Sequence, residues 1–222
     1  MDRVLSSNSA DIPLLCILDW DGVLFDDAQF KRAYQDIFEK IGIMQDEYEK
    51  TYDAAKEKVG GWYAPDAHLK VMRHIDQRVP VREIKRDIKN LLEQSASYLY
   101  PDSIPFLRLC RTQKIGLALA STGPAFQKKK IASSGITSFF DATRVIRNTE
   151  KIKALRGIMR KISARKVLFV DDKSEVVDSI EAALPQVMVV QMMRQDWTGK
   201  SDKADAWVQN FTGVKKIIES LC

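Results

Sequence analysis

The sequence predicts an α/β protein: a doubly wound parallel sheet with helices on both faces and a small all-helical segment inserted after the first strand. Residues 12–24 and 101–222 alternate short apolar runs with amphipathic segments, a pattern typical of strands that alternate with helices. The run 14–18 is apolar at every position, as expected of a strand covered on both sides. Residues 26–100 instead show apolar residues at helical spacing, which predicts a helical insertion.

The elements follow in order along the chain. Strands are predicted at 14–18, 115–120, 143–146, 166–170 and 187–192, and the helices of the sheet domain at 102–112, 124–134, 151–163, 173–184 and 211–221. Glycine and proline interrupt helices, so the breaks in the insertion predict four helices, at 28–41, 46–59, 66–78 and 81–98. The predicted domains are therefore an α/β domain of residues 1–25 and 101–222, and a helical domain of residues 26–100.

Composition indicates an ordinary globular protein of 222 residues, with 45% hydrophobic and 29% charged residues. The formal net charge of +5 is spread along the chain, which suits small anions such as phosphate esters. There is no dense basic and aromatic patch of the kind that binds nucleic acid. We interpret the run Lys128-Lys129-Lys130 as a solvated helix face.

The cysteines and the first residues bear on location. Cys16, Cys110 and Cys222 are odd in number and widely spaced, which favours free thiols in a reducing compartment. The apolar run after residues 1–11 is too short for a signal peptide or a spanning helix. We expect a soluble cytoplasmic protein without a membrane partner.

The first predicted strand leads directly into two carboxylates. Asp19 and Asp21 alternate around Trp20, so an extended backbone directs both side chains to the same side. Gly22 then lets the chain turn away from the sheet. Ionised groups at the end of a buried strand need a partner, so this pattern favours a metal-assisted site over a simple turn.

Two further strands end in polar residues. Asp171 and Asp172 follow the apolar run 167–170, and adjacent carboxylates require a cation, usually Mg²⁺. Ser121 and Thr122 end another strand, where a hydroxyl can bind phosphate or, alternatively, act as a helix N-cap.

A lysine stands at the start of a later predicted helix. Lys151 in a first turn opposes the helix dipole, so its compensation is either solvent or an anion. Lys153 and Lys128 are rivals for the role of a phosphate-binding lysine.

Taken together, these motifs resemble the haloacid dehalogenase superfamily with a helical cap after the first motif. The motifs are Asp19-Trp20-Asp21-Gly22-Val23-Leu24, Ser121, Lys151 and Val170-Asp171-Asp172-Lys173-Ser174. The resemblance implies a Rossmann-like sheet with strand order 5-4-1-2-3. Two departures are the bulky Trp20 and Val176, which stands where a further aspartate is usual in the fourth motif.

The resemblance also implies roles. Asp19 is the expected nucleophile, which forms an aspartyl-phosphate, and Asp21 the expected general acid and base. Phosphate-binding residues are Ser121, Thr122 and Lys151. The implied magnesium ligands are the Asp19 carboxylate, the Asp21 main-chain carbonyl and Asp172, with Asp171 direct or through water.

The function expected from these residues is a magnesium-dependent phosphatase that acts on a small phosphorylated metabolite. A sugar-phosphate mutase or a phosphonate-cleaving enzyme shares the residues, and a non-catalytic binding or regulatory module shares the fold. Trp62, after Gly60-Gly61, either approaches the leaving group or packs inside the helical domain. The sequence indicates neither the substrate nor the oligomeric state.

Overall fold

The computed structural model describes residues 12–146, 151–194 and 199–221. Within them a six-stranded sheet has the order β3-β2-β1-β4-β5-β6, with every neighbouring pair parallel. The strands are β1 Ile12–Leu18, β2 Gly116–Thr122, β3 Ala142–Ile146, β4 Ala164–Asp171, β5 Val187–Met192 and β6 Ala206–Val208. The order of the first five strands confirms the prediction, and β6 was not predicted.

Helices cover both faces of the sheet. In β1, Leu14, Cys16 and Leu18 belong to one apolar cluster and Leu15 and Ile17 to another, because successive side chains point to opposite faces. The first cluster includes residues of α5 (Ser103–Thr112), α6 (Ala125–Ser133) and α9 (Phe211–Leu221), and the second includes residues of α7 (Lys151–Lys161) and α8 (Ser174–Ala183). The sheet is therefore doubly wound. In such sheets a ligand binds at the carboxyl ends of the strands, because the helices cover both faces.

All the regular elements between residues 26 and 100 are helical. They are α1 Asp27–Glu39, α2 Gln45–Lys58, α3 Pro65–Ile75, α4 Val81–Glu93 and a 3-10 helix, Ser95–Tyr98. We call this segment the helical insertion. Helix α3 ends three residues before the predicted position 78 because Asp76 turns the chain, its carboxylate accepting a hydrogen bond from the Arg78 backbone N–H at 2.8 Å.

The insertion leaves and rejoins the sheet at one place. The backbone N–H of Asp26 donates to the Tyr98 carbonyl at 2.8 Å, and that of Tyr100 donates to the Leu24 carbonyl at 3.0 Å. The two connecting segments thus lie side by side, directly after the end of β1. This arrangement places the helical insertion over the carboxyl ends of the strands.

Some sequence expectations concern thiols and membranes. Cys16 and Cys110 are buried free thiols, as predicted, whereas Cys222 and residues 1–11 lie outside the described residues. Across the described ranges, no helix is long and apolar enough to cross a bilayer.

Candidate active site

The end of β1 supplies the first two carboxylates. Asp19 follows β1 directly and is only 6% exposed, and its backbone N–H donates to the Val170 carbonyl at 2.9 Å, which fixes it beside β4. Asp21 is half-buried two residues later. Gly22 has a φ of +72°, a left-handed conformation that turns the chain towards the insertion.

The end of β4 supplies two more carboxylates. Asp171 is fully buried, and its Oδ1 accepts a hydrogen bond from the Lys173 backbone N–H at 3.0 Å. The Oδ1 of Asp172 is buried without a hydrogen-bond partner among the described residues. Asp19, Asp171 and Asp172 each contribute an oxygen, and these oxygens lie within 4.8 Å of one another.

This carboxylate group fits a magnesium ion. Carboxylate oxygens are ligands that Mg²⁺ prefers, and a buried unpaired oxygen is costly unless a cation or donor meets it. A Cβ at position 22 would overlap the Asp172 carboxylate, so the glycine is needed for Asp172 to lie where it does. The side chain of Asp21 lies outside the group.

Lys151 pairs with two of these carboxylates. It opens α7, is 7% exposed, and its Nζ donates to Asp19 Oδ1 at 2.8 Å and to Asp171 Oδ2. Its rivals Lys128 and Lys153 are exposed. Lys151 is thus the candidate that is buried against the expected nucleophile.

The polar end of β2 lies next to β1. Ser121 is buried, and its Oγ accepts a hydrogen bond from Gln127 Nε2 at 3.1 Å. The same amide nitrogen donates to Asp21 Oδ2 at 2.5 Å, so Gln127 connects the two motifs. The N-cap of α6 is Pro124, so the alternative of a capping role for Ser121 or Thr122 is wrong.

A second lysine, Lys130, holds the carboxylate of Asp21. It is 3% exposed, and its Nζ lies 3.0 Å from Asp21 Oδ1 and 2.8 Å from Asp27 Oδ1. The ammonium also lies 4.6 Å and 4.9 Å from the ring centroids of Phe25 and Phe30. These contacts join α6 to the segment after β1 and to the first helix of the insertion.

The interpretation of the lysine run as a solvated face is correct for Lys128 and Lys129 and wrong for Lys130. Helix α6 buries Gln127, Lys130 and Ile131, which are spaced three and four residues apart and so share one face. Sequence reasoning missed both Gln127 and Lys130. The helical spacing from Ile131 was the signal that could have found them.

Burial dominates the electrostatics of the site. It raises the pKa of Asp19 to about 6, although Lys151 acts in the opposite direction. Burial likewise raises the pKa of Asp21 to about 6 against the opposing effect of Lys130. Burial and then repulsion from Asp19 raise the pKa of Asp172 to about 8. An acid such as Asp21, with a pKa near neutrality, is suited to giving and taking a proton.

Two cavities meet at Asp21. One, of about 520 Å³, also reaches Asp172 and Lys173, and the other, of about 510 Å³, reaches Thr122 and Gly123. Asp172 and Thr122 are thus accessible to a small molecule from the two sides of Asp21.

The fold and the site together define a Rossmann-like α/β hydrolase with acidic residues at the ends of adjacent strands. The chain belongs to the haloacid dehalogenase-like hydrolase family, whose model matches residues 14–183.

Solved structures support the fold. A haloacid dehalogenase-like hydrolase from Burkholderia xenovorans is similar at 20% identity, with a TM-score of 0.71 over 95% of this chain and 98% of that chain. A phosphatase of the family from Thermococcus onnurineus has 19% identity, a TM-score of 0.62 and coverages of 92% and 97%. The magnesium-bound hydrolase YfnB from Bacillus subtilis has 13% identity, a TM-score of 0.63 and coverages of 94% and 99%. Dehalogenases are also among the similar structures, so the likeness alone does not choose a reaction.

Proposed function

We propose that this protein is a magnesium-dependent phosphatase that hydrolyses a small phosphorylated metabolite through an aspartyl-phosphate on Asp19. The observation that carries the proposal is the carboxylate group of Asp19, Asp171 and Asp172, in which one buried Asp172 oxygen has no partner among the described residues. A site with this need for a cation fits phosphoryl transfer, in which the metal also offsets phosphate charge.

The carboxylates and Lys151 have different roles in the proposed reaction. Magnesium held by Asp19, Asp171 and Asp172 would reduce the repulsion between an anionic nucleophile and an anionic phosphate. Asp19 attacks phosphorus and forms an acyl phosphate, while the bond from phosphorus to the leaving oxygen breaks. Asp21 gives a proton to that oxygen and later takes one from the water that hydrolyses the acyl phosphate. Lys151, already 2.8 Å from Asp19, orients the nucleophile and offsets charge on the transferred phosphate.

The end of β2 supplies the remaining contacts with the phosphate. Ser121 and Thr122 lie on the strand next to β1, and Gln127 connects Ser121 with Asp21. Their hydroxyl groups would donate hydrogen bonds to the phosphate oxygens and not to the leaving alcohol. The proposed substrate is a small molecule, and neither nucleic acid nor a membrane takes part in the proposed reaction.

The rival reactions differ in what they require. A haloacid dehalogenase needs no metal and has no use for Asp21 or the second pair of carboxylates. A sugar-phosphate mutase uses the same residues but returns the phosphoryl group to a sugar. A phosphonate-cleaving enzyme needs a lysine of the insertion at the reacting carbon, and a non-catalytic module needs none of the carboxylates.

A panel of phosphorylated sugars, nucleotides and organic acids tests the proposal. We expect magnesium-dependent release of inorganic phosphate, loss of release with a chelator and recovery when magnesium is restored. The matched control is Asp19→Asn, which keeps the side-chain shape but cannot attack phosphorus, and its turnover should fall below a few per cent. Isomerised sugar phosphate without phosphate release would support a mutase instead, and magnesium-independent halide release would support a dehalogenase.

A further inference from the structure

The cavity between α6 and the helical insertion has two kinds of surface. Its volume is about 510 Å³, and its polar part is formed by Asp21, Thr122, Gly123 and Gln127, the side on which a bound phosphate would lie. The rest of the lining combines aromatic side chains of the insertion and of α6 with the polar side chains of Lys31, Gln35, Glu49 and Lys56. A molecule bound through its phosphate would therefore place its leaving group among aromatic rings.

The aromatic walls have a defined arrangement. The rings of Tyr52 and Tyr63 are stacked, with centroids 4.5 Å apart and an interplanar angle of 20°. Phe126 meets Tyr63 edge-on, at 6.2 Å and 80°. Trp62 is half-buried and lines the same cavity. Because Tyr63 and Phe126 also pack against the main apolar cluster, these walls are supported from behind.

The hydroxyl groups of Tyr34 and Tyr63 are already used within the insertion. Thr51 Oγ1 donates to the Glu47 carbonyl at 2.8 Å and therefore accepts from His68 Nε2, also at 2.8 Å. The other ring nitrogen, His68 Nδ1, then accepts from the Tyr63 hydroxyl at 2.9 Å, and Tyr63 accepts from Tyr34. This chain of hydrogen bonds commits the Tyr63 hydroxyl proton to His68 and holds the Tyr63 ring in one orientation within the wall.

From these two observations we infer that the substrate is a phosphomonoester of an alcohol that carries a planar aromatic ring. Offset-stacked and edge-to-face contacts with Tyr52, Tyr63 and Phe126 are the favourable interactions that such a wall offers. The inference rests on the proposed function, because the phosphate end is bound by the carboxylate and β2 motifs. In turnover the bond between phosphorus and the alcohol oxygen breaks, the phosphoryl group passes to Asp19, and the oxygen takes its proton from Asp21.

Binding tests the inference without turnover. Benzylphosphonate and cyclohexylmethylphosphonate have rings of similar size, the same phosphonate group and no bond that the enzyme can hydrolyse. With magnesium present, calorimetry should show benzylphosphonate binding about five- to tenfold more tightly, because only the planar ring stacks. Equal affinities, or tighter binding of the cyclohexyl compound, would overturn the aromatic assignment.

Kinetics separates this inference from the proposed function. Hydrolysis of acetyl phosphate, which carries no ring, reports phosphatase activity alone. Benzyl phosphate and cyclohexylmethyl phosphate are both esters of primary alcohols. A kcat/KM ratio of about five or more in favour of benzyl phosphate would therefore show that the aromatic wall favours a planar ring. Turnover of acetyl phosphate with a ratio near one contradicts the inference and leaves the phosphatase proposal standing. Failure to hydrolyse any of the three contradicts the phosphatase proposal, and the phosphonate affinities then still decide the aromatic assignment.

A matched pair of variants locates the effect. Tyr52→Leu removes one stacking ring and should reduce the benzyl to cyclohexylmethyl ratio about threefold. Trp207→Leu removes an aromatic ring from β6 at the edge of the sheet, outside the cavity, and should leave the ratio unchanged. An unchanged ratio in Tyr52→Leu would remove this ring from the wall and contradict the inference.

Discussion

Asp21 shows how two protein contacts prepare a single side chain for its proposed role. Gln127 meets one carboxylate oxygen at 2.5 Å and Lys130 meets the other at 3.0 Å, so the group is held in one orientation. Burial nevertheless raises its pKa to about 6, which keeps a protonated fraction near neutral pH. Orientation and a near-neutral pKa are the two properties that a general acid and base needs.

The substitution Asp21→Asn tests this role through the leaving group. An alkoxide leaves with difficulty unless it is protonated, so turnover of an alkyl ester such as benzyl phosphate should fall by about a hundredfold or more. p-Nitrophenolate leaves without a proton. The initial hydrolysis of p-nitrophenyl phosphate should therefore fall much less, and phosphoenzyme should accumulate. Steady-state rates and acid-quench trapping of the phosphoenzyme measure both effects. Equal losses with both substrates and no trapped phosphoenzyme would contradict the assignment.

Lys130 is predicted to stabilise the fold as well as to orient Asp21. Lys130→Met leaves the Asp21 and Asp27 carboxylates without their shared cation, and breaking a buried ion pair costs about 3–5 kcal/mol. Because both carboxylates keep some contact with solvent, we expect a loss near the lower end, about 3 kcal/mol, in urea unfolding. Lys129→Met, on the exposed face of the same helix, is the control and should change stability by less than about 0.5 kcal/mol. Similar losses in both variants would show that Lys130 contributes no more than a surface lysine.

At the level of elements, the turn after β1 joins backbone conformation to the carboxylate group. Gly22 and Gly42 both have positive φ, +72° and +83°. An added Cβ at Gly22 would overlap Asp172, whereas one at Gly42 meets nothing within 4 Å. The two glycines therefore carry the same backbone strain on substitution but differ in contact with the site.

This difference makes Gly42→Ala a matched control for Gly22→Ala. Gly42→Ala should lose about 1–2 kcal/mol in urea unfolding, because alanine is strained in the left-handed region, and Gly22→Ala should lose at least as much, because Asp172 must also move. Only Gly22→Ala should also displace Asp172 and raise the magnesium concentration for half-maximal phosphate release by about tenfold or more. If both variants kept the wild-type magnesium dependence, the position of Asp172 against Gly22 would not matter for magnesium binding.

The elements also show what sequence reasoning can reach. β1 and β4 were predictable because their continuous apolar runs are a local signal, and parallel strands bring Asp19 and Asp171 to one edge of the sheet. β6 was not, because its three residues become a strand only by pairing with β5. The burial of Lys130 was missed for the same physical reason: its partners Asp21 and Asp27 lie about a hundred residues away in the sequence.

For the whole molecule, the apolar core is continuous from the sheet into the insertion. One cluster includes Leu14 of β1, Phe38 of α1, Leu69 of α3, Leu91 of α4 and Phe211 of α9. A change of charge at the strand ends therefore acts on a single packed unit, and its effect should appear in the global unfolding free energy.

Charge at the site predicts how the stability of the metal-free protein depends on pH. The pKa of Asp172 is raised from its usual 3.8 to about 8, so the folded state retains a proton that the unfolded state has lost. Stability from this group is fully present below about pH 4 and is lost as pH rises through 8. The pKa of His68 is lowered by burial to about 4, so its contribution is lost only as pH falls below about 6.5. Asp19 and Asp21, with pKa values of about 6, have mostly lost their protons by pH 6.5, so between pH 6.5 and 8 Asp172 is the group whose effect dominates.

We expect the unfolding free energy of the chelator-treated protein to fall across pH 6.5–8, by at most about 1.4 kcal/mol per pH unit. In the proposed site magnesium would bind the ionised carboxylates of the folded state, so its stabilising effect should grow over the same interval. Urea unfolding at several pH values, with chelator or with saturating magnesium, measures both trends. Asp172→Asn has no proton to lose at this position, and its metal-free stability should be nearly flat across the interval. If the metal-free stability of the wild-type protein changed as little with pH as that of this variant, Asp172 would already be ionised in the metal-free fold. The electrostatic argument that the carboxylate group needs a cation would then be contradicted.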